Sequence, residues 1–112
     1  MSQVTTHILD TSKGKPAAGV VVSLYQQHPE KWREIAASIT NADGRITDLL
    51  PKDAQLQPGT YKLRFETKDY FDLQGVVSFY PFIEIIFQVT GSEHYHVPLL
   101  LSPYGYSTYR GS

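Results

Sequence analysis

The chain has 112 residues, no cysteine, 10 Lys and Arg against 11 Asp and Glu, and a formal net charge of −1 at pH 7. This length suits a single domain over residues 1–112 with one core, and the balanced charge argues against a nucleic-acid-binding protein. Without Cys, disulfide bonds, thiolate catalysis and Cys-ligated zinc are excluded.

The first seven residues contain neither the basic segment nor the apolar run of a signal peptide. No stretch approaches the roughly twenty apolar residues that a membrane span needs. We therefore expect a cytoplasmic protein without a membrane partner.

Short β-prone segments alternate with turn clusters along the chain, and no long segment has helical periodicity. The one predicted helix covers Lys68 to Gln74, with Thr67 as N-cap and Gly75 as C-cap. The pattern predicts an all-β sandwich of about eight strands in two sheets, with a barrel as the alternative. The predicted strands cover 5–10, 19–26, 32–40, 45–50, 60–67 and 79–89, followed by a closing hairpin within 94–112.

Alternation within the strands predicts which side chains face the core. The predicted core-facing residues are Val20, Val22, Leu24, Tyr61, Leu63 and Phe65. Lys62 and Arg64 are expected on the outer face. Two residues conflict with the strand pattern. Pro98 cannot donate to a ladder, so a bulge or an edge position is expected there. Glu84 interrupts an apolar run, so it should face solvent or meet a partner at a subunit interface.

Histidines supply the candidate chemistry. His94 and His96 are two residues apart, so in a strand both imidazoles point to one face and could exchange protons near neutral pH. His7 lies within the first predicted strand, where a structural histidine is the ordinary alternative. Arg45 follows an Asp-Gly turn and could simply be a solvated cation.

The residues bear on two classes of hydrolase. A zinc site would need His7 beside His94 and His96, and the spacing argues weakly against it. A serine-hydrolase nucleophile is disfavoured because no Gly-x-Ser-x-Gly motif occurs.

Four segments carry a family resemblance: Thr-Thr-His-Ile-Leu-Asp at 5–10, Asn-Ala-Asp-Gly-Arg at 41–45, Pro-Leu-Leu-Leu-Ser-Pro at 98–103, and Tyr-Arg-Gly-Ser at 109–112. Together they resemble the 5-hydroxyisourate hydrolases, the transthyretin-like enzymes of urate breakdown. The resemblance implies a transthyretin-like sandwich with one short helix. It also implies hydrolysis of the cyclic amide of 5-hydroxyisourate to 2-oxo-4-hydroxy-4-carboxy-5-ureidoimidazoline, on the route from urate to allantoin, without cofactor or metal.

The same resemblance implies roles for individual residues. Those expected to be catalytic are His7, Arg45, His96 and the terminal carboxylate of Ser112. Those expected to bind substrate are Tyr109, Arg110 and Gly111. His94 is expected to be a neighbour near the rim of the site.

The resemblance also implies a homotetramer, a dimer of dimers with its sites at the subunit interface. The edge at 107–109 is β-prone and short of charge, which favours pairing there. Two alternatives stay open. One is a transthyretin-type carrier that binds a small ligand without chemistry, and the other is a structural interaction module.

Overall fold

The computed structural model describes all 112 residues. Nine strands form two packed sheets, and the chain has one short helix. Two of the nine strands, at 15–16 and 45–46, have only two residues each, so the predicted count of about eight is close. The elements are Val4–Asp10 (β1), Lys15–Pro16 (β2), Val21–His28 (β3), Lys31–Ile39 (β4), Arg45–Ile46 (β5), Gly59–Phe65 (β6), Thr67–Asp72 (α1), Ile83–Val89 (β7), Tyr95–Ser102 (β8) and Gly105–Thr108 (β9).

The first sheet has the order β2-β1-β8-β9, with β5 also paired to β1. β1 and β8 are parallel, whereas β9 returns antiparallel to β8. The second sheet has the order β4-β3-β6-β7 and is antiparallel throughout. β7 and β9 are therefore edge strands, one in each sheet. The predicted two-sheet sandwich is confirmed, and no closed barrel forms.

The core lies between the two sheets. All six side chains that alternation assigned to the core are fully buried, in β3, β6 and the segment before β3. They pack with inward residues of the first sheet such as Val4, Ile8, Leu99 and Leu101. Burial of this apolar surface is the main favourable contribution to folding.

The outer face of the second sheet is less exposed than alternation suggests. Lys62 points outward as predicted, yet it is only 8% exposed. Its ammonium group lies 4.4 Å from the centre of the Trp32 ring and 3.2 Å from Glu84. Glu84 also approaches Arg64 at 3.9 Å. Glu84 thus meets cations of its own chain, and the aromatic ring covers the apolar stem of the lysine.

Two predicted strand boundaries are wrong. The strand placed at 45–50 is only two residues long, and the strand placed at 79–89 begins at Ile83. Pro81 precedes that strand and cannot donate to a ladder, while the Phe79 N–H bonds to the Pro103 carbonyl at 2.8 Å, outside the sheet.

The helix is shifted relative to its prediction. It begins at Thr67, and Glu66 occupies the N-cap position without a side-chain hydrogen bond, so Thr67 is not the cap. The helix ends at Asp72. Gly75 follows with φ of 68° and donates its N–H to the Asp72 carbonyl. It therefore lies in the turn after the helix and is not the C-cap residue. With six residues, this helix is too short to cross a membrane.

Pro98 lies in a central strand, not at an edge. Its neighbours Val97 and Leu99 direct their backbone groups to β1, so the missing N–H of Pro98 faces β9. There the ladder stops at Leu99 and Thr108, and the Thr108 hydroxyl donates to the Pro98 carbonyl at 2.6 Å. Proline therefore opens a gap between β8 and the C-terminal tail without displacing either strand from the sheet.

Candidate active site

Parallel pairing of β1 with β8 assembles the histidines. The register places Thr5 beside His96 and His7 beside Pro98. The alternate β1 residues Val4, Thr6 and Ile8 face the core and are fully buried. Thr5, His7 and His96 therefore share the outer face of the first sheet.

Arg45 reaches the same face through the turn that precedes it. The Asn41 side-chain oxygen accepts hydrogen bonds from the backbone N–H groups of Asp43 and Arg45, at 2.9 and 3.0 Å. Gly44 has φ of 72° and lies so close to β1 that a Cβ would fall 2.5 Å from the Ile8 carbonyl oxygen. This close approach pairs Arg45 directly with His7. Arg45 is exposed, as the solvated-cation alternative would also have it, but it stands beside an imidazole.

The C-terminal tail folds onto His96. The Gly111 N–H donates to the His96 carbonyl at 2.9 Å and forms an isolated bridge beyond β9. Gly111 is three residues after Thr108, and His96 is three before Leu99, so the tail keeps the register of the hairpin across the Pro98 gap. The final residue, Ser112, is thereby delivered to the histidine face.

A cavity of about 150 Å³ marks the point where these elements meet. It is lined by Met1, Thr5, Thr6, Arg45, Thr47, His94, His96 and Ser112. Three of the four residues predicted to be catalytic thus line one cavity. The fourth, His7, is close enough to His96 for its charge to lower the pKa of that imidazole.

The surroundings of both imidazoles favour the neutral form. Burial lowers the pKa of His96 below its usual value of 6.5, and the charges of Arg45, His94 and His7 lower it further. Burial also lowers the pKa of His7, with Arg45 acting in the same direction and Asp43 in the opposite one. A neutral imidazole at physiological pH can accept a proton, so either ring could serve as a general base.

Tyr109 and Arg110 line a second cavity of about 320 Å³, together with His96 and with β7 residues that include Ile85 and Phe87. The Arg110 guanidinium lies 4.7 Å from the centre of the Tyr95 ring. Their assignment to substrate binding stays a prediction, because within one chain they do not line the smaller cavity with Ser112.

The chain contains no cluster of side chains suited to metal binding. His94 and His96 lie side by side with ring centres 6.2 Å apart, but no group of three or more His, Asp or Glu side chains is arranged to hold a metal ion. The expectation of a metal-free site stays a prediction about the reaction.

One residue of the site, Thr5, was not singled out from the sequence. Its hydroxyl oxygen lies 2.8 Å from His94 Nε2 and 2.8 Å from His96 Nδ1. The available signal was positional: a threonine two residues before His7 on the same strand face. It could be read only with the parallel register of β1 and β8, which alternation does not reveal.

Comparison with known proteins agrees with this geometry. Residues 4–111 match the HIUase/Transthyretin family. The chain is 47% identical to the 5-hydroxyisourate hydrolase of Mus musculus, over 99% of this chain and 96% of that one. It is similar to the structure of Klebsiella pneumoniae 5-hydroxyisourate hydrolase, with 41% identity, a TM-score of 0.86 and coverage of 97% of this chain and 98% of that one.

A second solved structure, that of a differently named protein, shares the fold. Sea bream transthyretin in complex with thyroxine has a TM-score of 0.91 at 34% identity, covering 98% of this chain and 95% of that one. The predicted transthyretin-like sandwich is therefore confirmed. The match over nearly the whole chain, together with the sandwich itself, establishes that this protein belongs to the HIUase/Transthyretin family.

Proposed function

We propose that this protein is a 5-hydroxyisourate hydrolase, which opens the cyclic amide of its substrate with water. One observation carries the proposal: a cavity that combines a neutral imidazole, a guanidinium and a terminal carboxylate, in a chain 47% identical to the mouse enzyme of that name. The product of this ring opening is 2-oxo-4-hydroxy-4-carboxy-5-ureidoimidazoline.

Ring opening requires three catalytic groups. A base must take a proton from the attacking water, a donor must stabilise the oxyanion that forms on the ring carbonyl, and an acid must protonate the departing nitrogen. His96 and His7 both suit the first and third, because their lowered pKa values leave them neutral and able to accept and return one proton.

Arg45 is the proposed oxyanion donor. Its guanidinium presents a rigid fork of N–H groups and stays positively charged at every physiological pH. The turn at 41–44 holds its backbone beside His7, so the donor is positioned before substrate arrives. Groups of this kind lower the barrier by about 3–4 kcal/mol in enzymes where one donor has been removed.

The tail completes the proposed site. The carboxylate of Ser112 is a fixed hydrogen-bond acceptor that lines the cavity with His96 and Arg45, where it can orient an imidazole or a substrate N–H. Gly111 holds that carboxylate in place through its bond to the His96 carbonyl. Tyr109 and Arg110 are proposed to bind substrate from the neighbouring surface.

The proposed assembly is a homotetramer with its sites between dimers. Two features support it: β7 and β9 each leave one edge unpaired, and the face of the first sheet that carries the histidines lies outside the core between the two sheets. Edges of this kind are templates for pairing with a second copy. Sedimentation velocity of the purified protein tests this, and a stable monomer would rule it out.

A transthyretin-type carrier is the rival function. The fold alone favours it equally, because sea bream transthyretin in complex with thyroxine shares the sandwich. The paired imidazoles disfavour it, since a carrier has no use for groups that exchange protons. Identity to two hydrolases, at 47% and 41%, also exceeds the 34% to the transthyretin.

The test couples the protein to urate oxidase and follows the ultraviolet band of 5-hydroxyisourate. A hydrolase accelerates the decay of that band above the spontaneous rate, whereas a carrier leaves it unchanged. The proposal that the reaction needs no metal is separate, and activity that is lost with a chelator and restored by zinc would overturn it.

A further inference from the structure

The Thr5 hydroxyl connects two imidazoles. Its oxygen lies 2.8 Å from His96 Nδ1 and 2.8 Å from His94 Nε2. Thr5 is buried at 2% exposure, and the two rings lie nearly parallel, with an interplanar angle of 23°. A buried hydroxyl held between two titratable rings is a defined hydrogen-bond arrangement, not an accidental surface contact.

A hydroxyl carries only one proton, which limits the arrangements of the pair. When both rings are neutral, Thr5 donates to one and accepts from the other. If it donates to His94, it accepts from His96 Nδ1–H, and Nε2 of His96 is left bare and able to act as a base. If it donates to His96, then Nε2 of His96 carries the proton and the ring cannot accept another there.

His94 stands between the site and solvent. It lines the 150 Å³ cavity together with His96, and it also lines an open groove of about 480 Å³ bounded by residues that include Gln3, Asp53 and Ser92. His94 is exposed, whereas His96 is half-buried. Within this chain, an imidazolium at position 94 is therefore better hydrated than one at position 96.

Charges around His96 favour removal of a proton from it. From the neighbouring elements, His7 on β1 and Arg45 on β5 both lower its pKa, and His94 on its own strand acts the same way. The terminal residues Met1 and Ser112 line the same cavity with charges of opposite sign, an ammonium that disfavours an imidazolium at His96 and a carboxylate that favours it. An imidazolium that forms at His96 lies beside a permanent cation, so transfer outward to a solvated ring is favourable.

We propose that Thr5 is a positioning residue that holds His96 with Nε2 free, and that Thr5 and His94 relay the proton from His96 to solvent. The proposal rests on the hydrolase function proposed above. His96 Nε2 takes a proton from the attacking water. The Nδ1 proton of His96 then passes to the Thr5 oxygen as the original Thr5 proton passes to His94 Nε2. His96 ends neutral with its proton on Nε2, Thr5 is restored, and His94 holds the positive charge.

The central test compares Thr5→Val with Thr5→Ser. Valine keeps the branched shape but removes the hydroxyl, whereas serine keeps the hydroxyl. We expect Thr5→Val to lower kcat by about 10- to 100-fold with little change in KM, because orientation of the base is lost. Thr5→Ser should restore most of the rate. Equal kcat and equal pH profiles for wild type and Thr5→Val would overturn the role of Thr5.

His94→Gln tests the relay step. Glutamine keeps a hydrogen-bonding group near the position of Nε2 but cannot hold a proton. We expect a lower kcat and a changed pH profile, with His28→Gln as the matched control that leaves both unchanged. A normal kcat and a normal profile in His94→Gln would show that the proton leaves by another route.

Nuclear magnetic resonance separates this inference from the function itself. Imidazole ¹⁵N shifts of the wild-type protein at pH 7.5 should place the His96 proton on Nδ1, and Thr5→Val should change that tautomer. A wild-type His96 with its proton on Nε2 would overturn the positioning role even if the enzyme is active. An inactive wild type with the expected tautomer would overturn the proposed function and the relay, but not the positioning role.

Discussion

Gly111→Ala is the sharpest test of the tail, because the structure gives the size of the perturbation. A Cβ at Gly111 would fall 2.5 Å from His96 Cδ2, 3.2 Å from His96 Cγ and 3.2 Å from Pro98 Cγ. Carbon atoms in ordinary contact lie about 3.5–4.0 Å apart. Either the tail or the His96 ring must therefore move by about 1 Å.

Such a displacement should act on rate far more than on stability. A misplacement of about 1 Å in a positioning group costs roughly 100-fold in rate, so we expect kcat/KM to fall by that order. Gly111 lies outside the hydrophobic core, and its bond to the His96 carbonyl is the one backbone hydrogen bond at risk. A bond of this kind contributes about 1 kcal/mol, so the melting temperature should change little.

The assay measures kcat/KM for 5-hydroxyisourate beside thermal melting and sedimentation of the same sample. Gly105→Ala is the matched control, because a Cβ there meets only the Ser102 hydroxyl oxygen at 3.7 Å. It should keep wild-type kinetics. Wild-type kcat/KM in Gly111→Ala would refute the reasoning that the tail fixes the position of the His96 ring.

Three further predictions concern the same site. His96→Asn should lower kcat by about 10²–10⁴, the usual contribution of general acid–base catalysis, in steady-state assays where His28→Asn stays normal. Deletion of 110–112 removes no strand, so the protein should melt normally and keep the proposed tetramer but lose most of its kcat/KM; a change of assembly state relative to wild type would assign the tail to assembly instead. Because the pKa values of His7 and His96 are lowered by folding, their contribution to stability is present above pH 6.5 and lost as pH falls through the folded-state values, and activity should decline in the same direction. Melting temperatures and kcat/KM between pH 5 and 8 check this, and a melting temperature that rises towards pH 5 in wild type but not in the double Asn variant would contradict it.

Much of the fold follows from local pattern. Alternation located the buried faces of β3 and β6, and the Asp-Gly pair at 43–44 located the turn that positions Arg45. The alternation of side chains between the two faces of a strand depends only on strand geometry, so it can be predicted without tertiary information. The Glu84 conflict was also real, and its solution depends on the β6–β7 register. That register places Arg64 opposite Glu84 and brings Lys62, the diagonal neighbour, to 3.2 Å from the carboxylate.

The failures have a common physical origin in long-range contacts. The residues after Arg45 look like a strand, but their pairing with β1 ends at Ile46, and the Thr47 carbonyl accepts its bond from the Ser2 N–H instead. Phe79 is β-prone, yet its N–H bonds to the Pro103 carbonyl far along the chain. Propensity cannot report where a partner strand ends.

The residues of the site also differ in whether the sequence alone could predict them. His7, Arg45 and His96 could be proposed from the residues and the family resemblance, because each belongs to a recognisable segment. Thr5 could not, since a threonine in a strand is ordinary and its role depends on parallel pairing with His96. The placement of Arg110 in a different cavity from Arg45 and Ser112, with His96 lining both, was likewise invisible, because it depends on how the tail turns beyond the Pro98 gap.

The most direct measurement is the decay of 5-hydroxyisourate generated by urate oxidase, with and without the purified, folded protein. The account predicts a catalysed decay that scales with protein concentration and that is largely abolished in His96→Asn. Decay at the spontaneous rate, in the presence of folded and assembled wild-type protein, would contradict the proposal that this chain is a hydrolase.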